Sequence, residues 1–415
     1  DNAFLTAITS ETTVVAQESV PVSGRIIVNS PTETFSNISV KLLDADKNVI
    51  EEKAESGLSL KKDDKYDFAF TKPLPLTIGK ENVFYIATQL GEYSDEVKYT
   101  VKDLAFQPVK RVIIEEKTGM GCQFCPQGHY AWDYLSGIYG DKIIMAAYHT
   151  YSGDQYASGM SPYADTFLGL SGAPTAKINR GEEVSSPMVN EVRDGKYYYM
   201  FNSPDGSCWA DVIAKEFETD AVANLTVSAT FDNATSRVTM PYSASFAIDM
   251  EKQNIGLFVI VTEDNLSGYQ QNYFGDKTPE TVVGIEEWCQ GGKYGSTIVA
   301  PFYQNHVARA IVGSSYYGTT GLIPATITGG DEYTGNITFD KPSVNDINNC
   351  SVICMMIDAN TGRVINNATA KIVDPTAIDG VNADARGAVE VARYNAAGQM
   401  IGSNQKRSEE RRVGK

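Results

Sequence analysis

Val109-Lys110-Arg111-Val112-Ile113-Ile114-Glu115-Glu116-Lys117-Thr118-Gly119-Met120-Gly121-Cys122-Gln123-Phe124-Cys125-Pro126 is the stretch that decides the fold. Its opening, Val109 to Ile114, is short, β-branched and nearly continuous, as a central parallel strand would be. Ala131, Tyr134, Leu135 and Ile138 then recur at helical spacing, so a helix opens close to the cysteines. A thiol on the first turn of a helix feels the positive end of the dipole, which lowers its pKa and makes it a better nucleophile. Cys125, three residues beyond Cys122, is placed to resolve a mixed disulfide. This is the layout of a thiol–disulfide redox site.

The neighbouring segments extend the pattern. Lys142 to Tyr148 is a second apolar run after a Gly140-Asp141 turn, and strand, helix, strand in this order gives a right-handed βαβ unit. Ser171-Gly172-Ala173-Pro174-Thr175 leads into a third short strand, Ala176-Lys177-Ile178-Asn179. That Gly-x-Pro-Thr resembles the thioredoxin superfamily loop, in which the proline is cis and faces the redox cysteines. Proline is the residue for which a cis bond is cheap, although a trans-Pro opening a strand reads the same way.

Composition narrows the function classes. The chain has 415 residues, enough for about two to four domains. Its 52 acidic against 35 basic residues leave a net charge of −17, spread along the chain, which attracts neither nucleic acid nor an anionic membrane. No window of about 18 apolar residues is present, so no spanning helix is expected. The start, Asp1-Asn2-Ala3, carries no signal peptide, as a secreted chain numbered from a trimmed end would. Six cysteines neither mark a small disulfide scaffold nor exclude an oxidising compartment.

The fold class expected is multidomain, α/β plus all-β: a thioredoxin-like domain flanked by immunoglobulin-like β-sandwich modules. Residues 1–106 read as the first sandwich, with Ile38, Val40 and Leu42 alternating and the 83–87 and 97–101 runs flanking a turn at Gly91-Glu92. Residues 107–218 hold the thioredoxin-like unit, with Tyr151 to Ser171 as an insertion beside the site. Residues 219–373 return to β patterning, with core strands at 225–230, 257–261 and 352–357, separated by turn clusters. Residues 374–415 form a linker and tail, with a hairpin signal over 387–402 and a charged end at 406–415 that is expected to stay unordered.

Two stretches carry a family resemblance. Glu115-Glu116-Lys117-Thr118-Gly119-Met120-Gly121-Cys122-Gln123-Phe124-Cys125-Pro126 resembles the E-E-x-T-G…C-x-x-C-P stretch of the twenty-eight-kilodalton outer-membrane protein family of Bacteroidetes. Asn305-His306-Val307-Ala308-Arg309 is similar to a second signature of that family. The resemblance covers 107–373 and implies an envelope or surface protein, at the outer membrane, on the cell surface or secreted. Met120-Gly121 stands where many thioredoxin-like proteins carry Trp before the first cysteine. Tyr394 to Ile401 is similar to the opening of the C-terminal sorting domain read by the type IX secretion system, and the similarity stops near Gln405, as in a truncated domain.

The expected catalytic residues are Cys122, Cys125, Pro174 and Glu116, with no cofactor and no metal. Glu115 or Glu116 could accept the proton of the resolving cysteine, and position favours Glu116; the bland alternative is a surface carboxylate. Cys122 and Cys125 could instead form a static local disulfide, or hold zinc with His129, although a fourth ligand is wanting. Cys350 and Cys354 lie too far apart along a strand to bridge each other. With Cys208 and Cys289 they leave three pairings among which the sequence does not choose, and isolated buried thiols are the expected state. His149 and Asp154 could suggest a hydrolytic pair, but no serine sits in a nucleophile elbow. His306 reads as a packed polar residue. Partners would be extracytoplasmic proteins for a thiol–disulfide oxidoreductase. The competing reading is a non-enzymatic surface adhesin or ligand-binding protein with a structural disulfide.

Overall fold

A computed structural model describes residues 5–157 and 159–375. The hairpin signal at 387–402, the sorting-domain-like stretch and the charged end at 406–415 lie outside the described residues. The chain is mostly β and is built from several sheets. In the N-terminal part, Leu5–Ile8, Ser23–Ile27 and Lys65–Ala69 form one sheet. Thr13–Val15, Tyr93–Leu104, Lys80–Leu90, Phe35–Leu43 and Val49–Leu60 form a second, in that order. Alternation sends Val40, Leu42, Phe84 and Ile86 inward, where they share one core with Ile26 and Phe68 of the smaller sheet.

The main sheet has 13 strands, and its parallel centre is the pair expected from the sequence. Val112–Thr118 and Ile143–His149 run side by side in unbroken register, joined through the helix Pro126–Tyr139. Both strands are almost wholly buried, as parallel strands covered on both faces must be. Thr175–Ile178 pairs antiparallel on the outer side of the first. On the other side, Ile143–His149 meets Val307–Val312 through the pair Ala147 and Val307, with Ala147 N–H donating to His306 O at 2.8 Å. From there the sheet continues through Ile255–Glu263, Cys350–Asp358 and Val364–Val373. The boundary expected between 218 and 219 falls in the connection from the helix Trp209–Phe217 to the strand Ala223–Val227, and the sheet is continuous across its two sides.

Period-two alternation decides what each face touches. Val112, Ile114, Ile143 and Met145 pack under Ala131 and Leu135 of one helix and Trp209 and Ile213 of the other. Ile113, Ile144, Ala146 and Tyr148 pack on the opposite face against Met160, Tyr163, Leu168 and Phe258. The stretch expected as an insertion therefore divides: its start lies beside the cysteines, and residues 160–170, including the helical turn Pro162–Phe167, form part of the core.

Three local expectations need correction. The first strand begins at Val112 rather than Val109. Residues 109–111 are held by side chains instead of a ladder, since Lys110 Nζ donates to Glu216 O and Thr219 O at the end of a helix, and Arg111 N–H donates to Asn366 Oδ1. The helical stripe is narrower than the four apolar positions suggest: Ala131 and Leu135 are buried, while Tyr134 is 38% and Ile138 55% exposed. Tyr134 finds a partner outside the core, stacking on Phe201 at 3.9 Å. The run at 225–230 is broken at Ser228 into Ala223–Val227 and Ala229–Asp232, both of which pair with Arg237–Phe246.

Leu135→Ala should therefore cost about 2–5 kcal/mol, as truncation of a packed core side chain does, whereas Ile138→Ala should stay within about 0.5 kcal/mol. Urea unfolding of the two variants beside the parent chain checks this, and comparable losses at both positions would contradict the narrow stripe.

Candidate functional site

The strand Val112–Thr118 ends in the turn Gly119-Met120-Gly121, and the cysteines follow at once. Cys122 N–H donates to Gly119 O at 3.1 Å and Cys125 N–H to Cys122 O at 3.3 Å. Cys125 caps the helix Pro126–Tyr139, and its carbonyl accepts from the Gly128 and His129 amides. Pro126 at the first helical position costs nothing, because its missing N–H would be unpaired there. Cys122 thus precedes the helix and Cys125 opens it, a correction to the expectation that the first cysteine sits on the first turn. The two form a disulfide with Cα atoms 5.4 Å apart. Cys208, Cys289, Cys350 and Cys354 are free and buried.

Glu115 and Glu116 are both buried, on opposite faces of one strand. Glu115 Oε1 accepts from Tyr148 Oη at 2.9 Å and Tyr163 Oη at 2.6 Å, and Arg180 Nε lies 3.5 Å from Oε2. Its charge is thereby matched. Glu116 instead faces the helix. A Cβ at Gly128 would fall 2.2 Å from Glu116 Oε1 and 3.5 Å from Pro174 Cβ, so the glycine is what lets helix, carboxyl and proline meet. The Ala173–Pro174 bond is cis. Glu116 Oε1 has no hydrogen-bond partner, and burial pushes the carboxyl up to about 8.

The disulfide is covered by a segment distant in sequence. Gln271 N–H donates to Met120 O at 2.8 Å and Tyr273 N–H to Gln123 O at 2.9 Å. The Gln270 side chain is fully buried: Nε2 donates to Cys122 O at 2.9 Å and Gly119 O at 3.3 Å, while Oε1 faces His129 Nε2 and Gln304 Nε2 at 3.2 Å each. Under this cover Cys122 is 2% exposed and Cys125 0%. Outside it, the exposed rings of Phe124 and Tyr273 lie 4.8 Å apart. Gln270 and Gln304 belong to no motif, and nothing local in the sequence marks them.

His149 and Asp154 do meet. The Asp154 carboxylate accepts from His149 Nδ1 and from Met120 N–H, both at 2.8 Å. Burial pushes Asp154 up, but these bonds outweigh it and hold the group below the usual range. The pair anchors the turn before Cys122. His306, whose backbone is left-handed at φ 58°, joins His129, His149 and Glu116 around one cavity. His129 is pushed down to about 4 by burial. Among the described residues, no three His, Cys, Asp or Glu side chains are grouped so as to hold a metal ion.

A β-rich chain with a disulfide at a helix start and no described helix able to span a membrane is thereby defined. It belongs to the outer membrane protein Omp28 family, whose model matches residues 162–375, just over half of the chain. That family places it at the outer membrane or cell surface. The match includes Asn305 to Arg309 but begins after the cysteines, so it is narrower than the 107–373 span expected. No curated protein matches the chain. Among solved structures, a β-glucosidase from Listeria innocua is similar at 14% identity and a TM-score of 0.17, over 24% of this chain and 16% of that one. A β-glucuronidase from Bacteroides uniformis is similar at 13% identity and 0.19, over 38% and 21%. The chain spans about a fifth of these enzymes, and such scores carry no argument.

Glu116 sets a pH dependence. Its folded value, about 8, lies above the ordinary 4.5, so the folded state keeps a proton that the unfolded chain releases. Its stabilising contribution is full below about 4.5 and is lost as pH rises to about 8. Glu116→Gln does not titrate, so its stability relative to the parent should improve by several kcal/mol, to order of magnitude, between pH 5 and pH 8. Urea unfolding at both pH values measures this, and a constant difference would contradict the assignment.

Proposed function

We propose that this Omp28-family chain is a thiol–disulfide oxidoreductase of the cell surface, acting on extracytoplasmic proteins through a thioredoxin-like unit. The observation that carries the reading is that buried Glu116 and cis-Pro174 meet at Gly128, in the first turn of the helix that Cys125 caps next to its disulfide partner Cys122. The parallel strands on either side of that helix, and the sandwich-like sheets before and after, suit the same reading.

In the oxidising direction a substrate thiolate attacks Cys122 Sγ. The Cys122–Cys125 bond breaks, a substrate–Cys122 bond forms, and Cys125 sulfur leaves with the electron pair and takes a proton from Glu116. A carboxyl still protonated near neutral pH suits that donation. A second substrate thiolate then attacks the mixed disulfide, forming the substrate disulfide and releasing Cys122 as thiolate. Run backwards, Cys122 attacks, Cys125 resolves and Glu116 takes the proton. Either direction requires the 270–273 segment to lift, because it covers Cys122.

That cover favours a second reading, in which the disulfide is structural and the protein binds partners or ligands at the surface without catalysis. Reduced Cys125→Ser protein, incubated with an envelope extract, decides between them. Exchange predicts adducts through Cys122 that are released by dithiothreitol and absent from the Cys122→Ser, Cys125→Ser double variant. No adducts, together with a Cys122 thiol titrating near the ordinary value of about 8.5, would overturn the enzyme reading. Partner binding that survives the double substitution would support the second.

A further inference from the structure

The three histidines of the chain all line one cavity of about 280 Å³, at the small end of ligand-sized sites. It opens at the carboxyl ends of the two central parallel strands, where ligands of α/β sheets bind. Glu116 and Thr118, two residues apart on the same strand face, reach it from the floor with Ala147 and His149. Glu116 Oε1 and Thr118 Oγ1 are both buried without a hydrogen-bond partner, although such atoms are usually paired. The helix supplies His129, Trp132 and Asp133.

We propose that this cavity binds the ammonium group of a small organic amine. No Lys or Arg lines it, whereas two carboxyl groups do, Glu116 at the floor and exposed Asp133 at the rim, the latter in the field of Lys293. One of its imidazoles presents a lone pair. Gln270 spends Nε2 on carbonyls, so its Oε1 accepts from His129 Nε2–H, leaving His129 Nδ1 an acceptor. His149 is held by its Nδ1 contact with Asp154 at 2.8 Å and lines the same cavity. Aromatic rings complete the wall: Trp132 meets His306 edge-on at 4.8 Å, and Phe302 packs on His129 at 5.0 Å. Their faces favour a cation. An ammonium in the cavity favours the ionised form of the Glu116 carboxyl, which then surrenders its proton to solvent.

That exchange supplies the test. The titratable groups around the cavity are Glu116 at the floor, His129 and Asp133 on the helix, His149 on the neighbouring strand, and Tyr294, Tyr303 and His306 opposite, with Lys293 over the Tyr294 ring at 4.7 Å. His129 and His306 are pushed down by burial, so neither gains charge near neutrality. The full chain is titrated calorimetrically with benzylamine, and with benzyl alcohol as an uncharged counterpart, at pH 6, 7 and 8. Benzylamine should bind at least about tenfold tighter than the alcohol at pH 8, tighten by about tenfold from pH 6 to pH 7, and release about one proton per site. Glu116→Gln, its fold checked by circular dichroism, should lose both the preference and the pH dependence. Trp132→Ala should weaken binding and keep the pH dependence. Equal affinity for amine and alcohol, affinity flat with pH in the parent protein, or no binding of benzylamine, methylamine and ethanolamine at millimolar concentration would overturn the proposal.

Discussion

Two parallel strands side by side present two apolar faces, and both must be covered. Val112–Thr118 and Ile143–His149 meet that demand with two helices on one side and the 160–170 segment, with neighbouring sheet residues, on the other. Nearly every position on these strands then faces one interior or the other, including two consecutive carboxyls. A charge can sit in such a place only if it is matched, or if it is given up. Glu115 takes the first course, among two tyrosines and Arg180. Glu116 takes the second and keeps its proton. One residue of register thus separates a structural ion pair from a carboxyl held neutral.

The same demand draws distant chain onto the site. The covering hairpin, Leu266–Gln271 with Ile298–Gln304, brings two glutamines whose amides bridge the cysteine turn, the helix and each other. A buried amide can donate and accept at once, so Gln270 satisfies carbonyls at one end and an imidazole at the other. The disulfide therefore lies inside a polar network rather than at an open surface. The hairpin stands between solvent and the two sulfurs.

Much of this was legible in residues whose signal is local. The two parallel strands, the cysteine-bearing turn and the Gly-x-Pro-Thr entry all follow from runs of a few residues. Glu115 and Glu116 cannot be told apart by any local motif; alternation along the strand sends Glu115 to the tyrosines and Glu116 to the helix. Tyr134 and Ile138 misled because helical spacing marks an apolar stripe but not the width of what lies opposite, and Phe201 gives Tyr134 a partner outside the core. Val109 misled for a similar reason, since the side chains of Asn224 and Asn366, far along the chain, hold the segment off the ladder. The meeting of His129, His149 and His306 was not legible. It depends on a single strand junction, Ala147 to Val307, that no spacing reports.

That junction bears on how the chain is made. Ile143–His149 is buried at every position and leaves the ribosome long before Val307, so its outer edge waits unpaired while the intervening chain is synthesised. An apolar strand with an open edge is a template for pairing with other chains. A protein bound for the cell exterior carries that hazard through export as well. The charges of Asp141-Lys142 stand just before the strand, where flanking charge lowers the tendency of such a segment to pair with other chains.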